Sequence, residues 1–141
     1  MHNFYVSDPI HPDALTELSE LGRVHLGYGD KAVRYTDICG DVDAVLLRAE
    51  TFTRDMIAAS PKLTIIARHG VGTDNVDLDA AAEHRVWVTT TPGSNSRAVA
   101  EHVFALLLSV ARRTPTASAG VAAGQWAELK PSLNGVELGG R

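Results

Sequence analysis

The chain contains five short apolar runs, at positions 4–6, 24–26, 44–47, 63–66 and 86–89. The runs at 44–47 and 63–66 lack the alternation of apolar and polar residues that marks a strand with one face in water, so they predict buried strands. Helical signals lie between the runs, over 12–21, 34–38, 54–59 and 78–84. Strand and helix therefore alternate at short spacing up to residue 89.

This alternation predicts an α/β fold in which right-handed crossovers join parallel strands. Five strand–helix units without internal repeats predict a flavodoxin-like, five-stranded parallel sheet flanked by helices. Local signals support the individual helices. Pro12 occupies a first turn and Gly22 stops the same helix, while Thr51 or Thr53 caps the helix over 54–59.

The pattern changes after the Pro92-Gly93 pair. Ser94 or Asn95 is a good helix cap, and from residue 97 to 113 the chain has a long helical pattern. Thr114-Pro115 ends or kinks this helix. The residues from 116 onward are small, glycine-rich and weakly periodic, and we expect them to bury little by themselves. The helix needs a partner surface from outside this chain because its apolar face is wide, comprising Val99, Val103, Leu106, Leu107 and Val110.

The segment 67–77 joins the fourth strand to the next helix and contains two glycines, Gly70 and Gly72. Glycines let the backbone turn sharply and approach a ligand, and successive N–H groups in such a turn can bind an anion. Asp74 and Asn75 can close the loop through local hydrogen bonds, and Asp77 can cap the following helix. A turn that merely needs glycine explains the segment equally well, because Gly-x-Gly without a third glycine is a weak signal.

Composition narrows the class of protein. The 141 residues suit one domain with a proper core, and the formal net charge of −4 is spread along the chain. We therefore expect no nucleic-acid partner and no membrane surface, and the apolar run 103–111 is too short to span a bilayer. No signal peptide opens the sequence, so a cytoplasmic location is expected. The single cysteine, Cys39, is interpreted as a small buried hydrophobe, and no metal site is predicted.

Several motifs, in this order and with these gaps, resemble the family of D-isomer-specific 2-hydroxyacid dehydrogenases, which includes D-3-phosphoglycerate dehydrogenases. The resemblance covers most of the chain from residue 44 onward, whereas residues 1–40 match only in pattern. The motifs are Arg68-His69-Gly70-Val71-Gly72-Thr73-Asp74-Asn75-Val76-Asp77, Asp79-Ala80-Ala81-Ala82, Val88-Thr89-Thr90-Thr91-Pro92-Gly93-Ser94-Asn95, Ala98-Val99-Ala100-Glu101-His102, Leu106-Leu107-Leu108 and Ala111-Arg112-Arg113.

The resemblance implies an NAD- or NADP-dependent oxidoreductase that transfers hydride between a nicotinamide cofactor and a D-2-hydroxy acid or 2-keto acid. A substrate like 3-phosphoglycerate is one candidate. Residues 1–93 would be the substrate-binding domain, and 94–141 the hinge helix and the entry to a Rossmann domain that binds most of the cofactor. The family's catalytic Arg, Glu and His would lie beyond Arg141, so we expect this fragment to be inactive and the full-length form to be a homodimer.

The resemblance also implies roles for individual residues. Arg48 would bind the substrate carboxylate or phosphate, and the N–H groups of Val71 and Gly72 would bind the carboxylate. Asn95 would line the substrate cleft, while Val71 and Val99 would lie near the nicotinamide. Arg68 is equally well explained as a ligand to the substrate or as the partner of a carboxylate such as Asp74.

No catalytic residue is predicted within the chain. His69 is adjacent to the glycine loop but does not match the family's catalytic histidine, and His102 follows Glu101 on a helix, where adjacent side chains do not face each other. The alternative function is a non-catalytic flavodoxin-like module that binds a partner through the exposed apolar face of the long helix.

Overall fold

A computed structural model describes residues 1–140 and divides the chain into two compact units, Met1–Ser94 and the part from Asn95 onward. The first unit contains five strands and four α-helices. The strands are β1 (His2–Val6), β2 (Gly22–Leu26), β3 (Ala44–Leu47), β4 (Ile65–Arg68) and β5 (Trp87–Thr89). The helices are α1 (Pro12–Leu21), α2 (Tyr35–Ile38), α3 (Arg54–Ala58) and α4 (Leu78–Glu83), and a 3₁₀ turn, Cys39–Asp41, follows α2.

All five strands are parallel and lie in the order β2-β1-β3-β4-β5. This is the flavodoxin-like order, so the predicted fold class is confirmed. The register places Tyr5 beside Val45, Val45 beside Ile66, and Ile66 beside Val88. Because every strand runs the same way, the loops that follow the strands all emerge at one edge of the sheet.

The core lies on the sheet face that carries Tyr5, Val45 and Ile66, beneath α2, α3 and α4. The ring of Tyr35 is almost completely buried and packs edge-on against Tyr5 at 5.1 Å and Phe52 at 4.5 Å between ring centroids. Helix α1 lies on the opposite face, where its Leu18 borders a small cavity lined by Phe4, Ala44, Leu46 and Ala67. Helices therefore cover both faces of the sheet.

The fourth strand begins and ends two residues later than the predicted range of 63–66. Leu63 is buried, but its N–H donates to the Ser60 carbonyl in a turn, and Thr64 donates to the Asp43 carbonyl. The strand then continues to Arg68, which pairs with Leu47. The apolar run thus located the strand to within two residues: Ile65 and Ile66 pair with β3, whereas Leu63 is buried without pairing.

Two helix caps confirm the sequence signals. Asp77 accepts a hydrogen bond from the N–H of Ala80 at 2.8 Å, and Thr53, rather than Thr51, accepts one from Met56 at 3.4 Å. Gly22 ends α1 by donating its N–H to the Leu18 carbonyl, and it also begins β2.

The second unit contains α5 (Ser96–Ala111), α6 (Thr114–Ala122) and α7 (Trp126–Leu129), followed by a 3₁₀ turn, Lys130–Ser132. Helix α5 confirms the long helix, but Asn95 at its start makes no side-chain capping hydrogen bond. The residues after 116 form helices, but they bury little, as expected: among residues 116–140 only Gly120 is buried. Pro115 lies in the first turn of α6, where a missing N–H costs nothing, and Gly120 packs against Leu129 of α7. Within residues 1–140, no helix is both long and apolar enough to cross a bilayer.

Candidate functional site

The candidate site lies at the carboxyl edge of the sheet, where the loops after β1, β3 and β4 emerge. The strand order reverses between β1 and β3, and in open parallel sheets ligands bind outside the strand ends at such a reversal. Ser7 and Asp8 follow β1, Arg48 follows β3, and the glycine loop follows β4. Each loop contributes groups that can bind or position an anion.

Arg48 has a fixed backbone and an exposed side chain. Its N–H donates to the hydroxyl oxygen of Ser7 at 3.0 Å, and its carbonyl accepts from the side-chain amide of Asn75 at 3.2 Å. In the part of the chain that the structure describes, the guanidinium makes neither a hydrogen bond nor an ion pair. Arg48, which was predicted to bind the substrate, is therefore a cation held at the edge of the sheet with its hydrogen-bond donors available.

The carboxylate of Asp8 already occupies the amide groups that follow Arg48. Its Oδ2 accepts from the Ser7 hydroxyl at 2.6 Å and from the N–H of Ala49 at 3.0 Å. Partial burial alone would raise the pKa of Asp8. The hydrogen bonds from Ala49, Ser7 and the Glu50 N–H, together with the charge of Arg48, outweigh burial and lower this pKa below its ordinary value. The backbone N–H groups that follow Arg48 are therefore not available to bind an external anion.

The glycine loop, in contrast, presents N–H groups without a protein acceptor. Among residues 1–140, the N–H groups of Val71 and Gly72 donate to no carbonyl or side chain. Val71 is 48% exposed. The loop is nevertheless ordered, since the N–H of His69 donates to the Leu47 carbonyl at 2.7 Å and that of Thr91 donates to the Gly70 carbonyl at 2.9 Å. Ordered, unpaired amides of this kind are suited to binding a carboxylate.

Arg68 does not pair with Asp74, which was one of its two interpretations. Its Nη1 donates to the His69 carbonyl at 3.0 Å, and its Nε donates to Oδ1 of Asn75 at 3.5 Å. Both Arg68 and His69 border a cavity of about 330 Å³ beside the glycine loop. The other lining residues come from the start of α1 and from β3, β4 and the end of β5: Ile10, His11, Ala14, Leu46, Ala67, Thr89, Thr90 and Thr91.

Asn95 and Val99 belong to the second unit, at the start of α5, and both side chains are exposed. The carboxylate of Glu101 pairs with Arg97 one helical turn away at 3.1 Å. On this helix the partner of the Glu101 carboxylate is therefore Arg97.

Sequence reasoning missed three residues that build the site: Ser7 and Asp8, interpreted only as a turn signal, and Asn75, interpreted as closing its own loop. The side-chain amide of Asn75 instead donates to the carbonyls of Arg48 and Glu50, the latter at 2.8 Å. The available signal was position, because polar residues directly after parallel strands meet at one edge of the sheet.

Among the described residues, the glycine loop does not have the spacing of a dinucleotide-binding turn. A dinucleotide-binding turn needs a third glycine three residues after the second, and Asn75 stands there after Gly72. Over residues 1–140, no group of three or more His, Cys, Asp or Glu side chains is arranged to hold a metal ion.

Comparison with known proteins identifies the chain's relatives. The family model described as the D-isomer specific 2-hydroxyacid dehydrogenase catalytic domain matches residues 4–130. The chain is 37% identical to the D-3-phosphoglycerate dehydrogenase of Methanocaldococcus jannaschii over 142 aligned positions, which cover 100% of this chain and 27% of that protein. It is 36% identical to the enzyme of the same name from Mycobacterium tuberculosis, covering 96% of this chain and 26% of that one. The chain thus spans about a quarter of the length of these curated relatives.

Solved structures share the fold. The NADPH-dependent glyoxylate/hydroxypyruvate reductase of Sinorhizobium meliloti, solved with NADP and malonate, superposes with a TM-score of 0.79 at 28% identity. The match covers 99% of this chain and 44% of that one. The NAD-dependent formate dehydrogenase of Staphylococcus aureus gives a TM-score of 0.82 at 24% identity, covering 98% and 46% of the two chains, which supports the fold alone.

Proposed function

The chain belongs to the D-isomer-specific 2-hydroxyacid dehydrogenase family, and we propose that it forms the substrate-binding part of an NAD- or NADP-dependent oxidoreductase. Residues 1–93 would bind a D-2-hydroxy acid or the matching 2-keto acid. The observation that carries this proposal is the pair of unsatisfied anion-binding features at one sheet edge, the guanidinium of Arg48 and the N–H groups of Val71 and Gly72.

Two anion-binding features favour a substrate with two anionic groups. We assign the carboxylate to the Val71 and Gly72 amides, which can donate two parallel hydrogen bonds, and the second anion to Arg48. A 3-phosphoglycerate-like acid has this charge pattern. The names of the relatives and the malonate in the reductase complex are consistent with such a ligand.

The remaining roles concern the cofactor side. When bound, a nicotinamide ring gives or accepts the hydride. Val71 and Val99 would provide apolar surface near that ring, and Asn95 would line the substrate cleft. We propose that residues outside this chain bind most of the cofactor and supply the base that moves the hydroxyl proton, so the chain alone is inactive.

A titration of the ¹⁵N-labelled chain with 3-phospho-D-glycerate tests the binding proposal. The amide signals of Val71 and Gly72 should shift saturably, and Arg48→Ala should raise Kd about tenfold or more, as expected for a charge-assisted hydrogen bond. Arg23→Ala is the matched control. Arg23 is also exposed, but it lies near the amino end of β2, away from the carboxyl edge of the sheet where the site lies. Equal weakening by both variants, or unmoved loop signals, would contradict the proposal.

The inactivity of the chain has a separate assay. Purified chain with NAD or NADP and a panel of D-2-hydroxy acids should produce no absorbance at 340 nm above the blank. Reproducible turnover that follows the protein concentration would show that the catalytic groups lie within these residues.

The alternative function, a binding module without catalysis, is supported by the apolar side chains of α5. Phe104 is 64% exposed and Val110 is 78% exposed. A second copy of the chain is the simplest partner for such a surface, in line with the homodimer expected for the full-length form. Light scattering over a range of concentrations should show association, and a monomer at high concentration would count against a second copy as the partner.

A further inference from the structure

One side chain, that of Asn75, bonds to both the loop after β3 and the end of β4. The amide nitrogen of Asn75 donates to the carbonyls of both Arg48 and Glu50, at 3.2 and 2.8 Å. Its Oδ1 accepts from the Nε of Arg68 at 3.5 Å. Since an amide has one donor end and one acceptor end, these three partners together fix the orientation of the Asn75 side chain.

The segment from Arg48 to Glu50 is held from its other side by the end of β1. Its N–H groups are taken by Ser7, which accepts from Arg48, and by Asp8, which accepts from Ala49. The side chain of Glu50 is fixed as well, because it accepts from the buried hydroxyl of Tyr5 at 2.9 Å. The N–H groups of Arg48 and Ala49 are therefore bonded to the two residues that follow β1, and the carbonyls of Arg48 and Glu50 are bonded to Asn75.

Backbone hydrogen bonds continue the attachment between the two loops. The N–H of Phe52 donates to the Asn75 carbonyl at 2.7 Å, and the N–H of Asp77 donates to the Phe52 carbonyl at 3.1 Å. These bonds lie beyond Arg48 on one loop and beyond Gly72 on the other. Asn75 is thus the side chain that ties the segment bearing Arg48 to the loop bearing the free amides.

We propose that Asn75 is a positioning residue for the anion site. Its amide holds the Arg48 segment at a fixed separation from the Val71 and Gly72 N–H groups. This inference rests on the proposed function. A ligand with two anionic groups must meet both features at once, so a change in their separation weakens binding even when each feature is intact. Asn75 itself does not touch the ligand.

The side-chain chemistry at position 75 is restrictive. Both carbonyls that Asn75 contacts are acceptors, so the side chain must offer a donor. An aspartate would present only acceptors to the Arg48 and Glu50 carbonyls and would repel them. Serine keeps a single donor, and alanine has none.

The test compares Asn75→Ala and Asn75→Ser with Asp74→Ala, a control in the same loop. Each ¹⁵N-labelled variant is titrated with 3-phospho-D-glycerate at a temperature where its spectrum is folded. We expect Kd to rise about fivefold to tenfold in Asn75→Ala and by less in Asn75→Ser, and not to rise in Asp74→Ala. The Asn75→Ser variant also carries the test if the alanine variant does not fold.

A double-mutant cycle separates positioning from a purely structural role. In an Arg48→Ala background, Asn75→Ala should leave Kd unchanged, because the group that it positions is already gone. A merely structural asparagine would lower stability in both backgrounds without changing Kd of the folded protein.

The outcomes distinguish this inference from the proposed function. If the parent chain binds the ligand and Asn75→Ala binds it equally well, the positioning role is wrong while the site stands. The same conclusion follows if Asn75→Ala weakens binding equally with and without Arg48. If the parent chain shows no shift at Val71 and Gly72, both the proposed function and the positioning role are overturned.

Discussion

The hydrogen bonds to Asp8 predict how stability should depend on pH. Asp8 accepts from the Ser7 hydroxyl at 2.6 Å and from the Ala49 N–H at 3.0 Å. Hydrogen bonds to a charged acceptor contribute about 1.5–3 kcal/mol, against about 0.5–1.5 kcal/mol for neutral pairs. Asn keeps one neutral acceptor oxygen, so Asp8→Asn should lower the free energy of unfolding at pH 7 by about 1–2 kcal/mol.

Urea unfolding measures this loss directly. For a slope of about 1–2 kcal/mol per molar, the midpoint should fall by roughly 1 M. Hydrogen exchange of the Ala49 amide gives a local readout, and its protection should fall in the variant. Asp30→Asn is the control, since Asp30 is exposed and makes no side-chain hydrogen bond or ion pair among residues 1–140.

The sign of the pH dependence follows from the lowered pKa of Asp8. Its contribution is fully present above the ordinary value of 3.8 and is lost as the pH falls through the lower value in the folded state. The difference in stability between the parent chain and Asp8→Asn should therefore be constant near neutral pH and shrink toward pH 3. A difference that stays constant down to pH 3, or an equal loss in Asp30→Asn, would refute this reasoning.

Two further substitutions test the packing and the core. Gly22→Ala would place a Cβ in steric overlap with the His2 carbonyl oxygen and should cost about 1–3 kcal/mol by urea unfolding. Gly40→Ala is the control and should change stability little, because the space around Gly40 is open. Tyr35→Phe should lower the free energy of unfolding by about 1 kcal/mol, because it removes the 2.6 Å hydrogen bond to Ser60. In the parent chain, burial raises the pKa of the Tyr35 hydroxyl to about 12. The variant should therefore lose an ultraviolet titration step at about pH 12, and the parent chain should lose stability as the pH rises from 10 toward 12.

The strands and helices of the first unit were predictable because local patterns decide them. The run at 44–47 became β3 with the predicted bounds, and Asp77 capped α4 as its position indicated. The fourth strand moved because burial and pairing are separate properties: Leu63 is buried in a turn, and Arg68 pairs although it is polar. Hydropathy reports the first property only.

The candidate site was less predictable because its contacts join distant parts of the sequence. Asn75 was expected to bond its own loop, but its carbonyl partners lie 25 and 27 residues away. Asp8 similarly takes an N–H from Ala49, 41 residues along the chain. Such pairings follow from the strand order, which brings the ends of β1, β3 and β4 together. They become inferable only once that order is known.

The boundary between α5 and α6 shows how much a proline signal specifies. Thr114-Pro115 was predicted to end or kink the long helix, and α5 does end just before this pair, at Ala111. Arg113 adopts a left-handed backbone conformation with φ 53°, which separates the two helices. Pro115 then lies in the first turn of α6. A proline specifies a helix boundary but does not say on which side the helix lies.

Half of the proposed anion site is built from main chain, at Val71 and Gly72. Mutational scanning that truncates side chains leaves these donors in place, so a survey of that kind would credit Arg48 with the whole site. The same property means that these two donors do not depend on which side chain stands at position 71. Related proteins could therefore bind substrates that differ next to the carboxylate while still binding the carboxylate itself through backbone N–H groups. In such a site the path of the backbone positions the donors, and the sequence specifies that path through the glycines and loop contacts that maintain it.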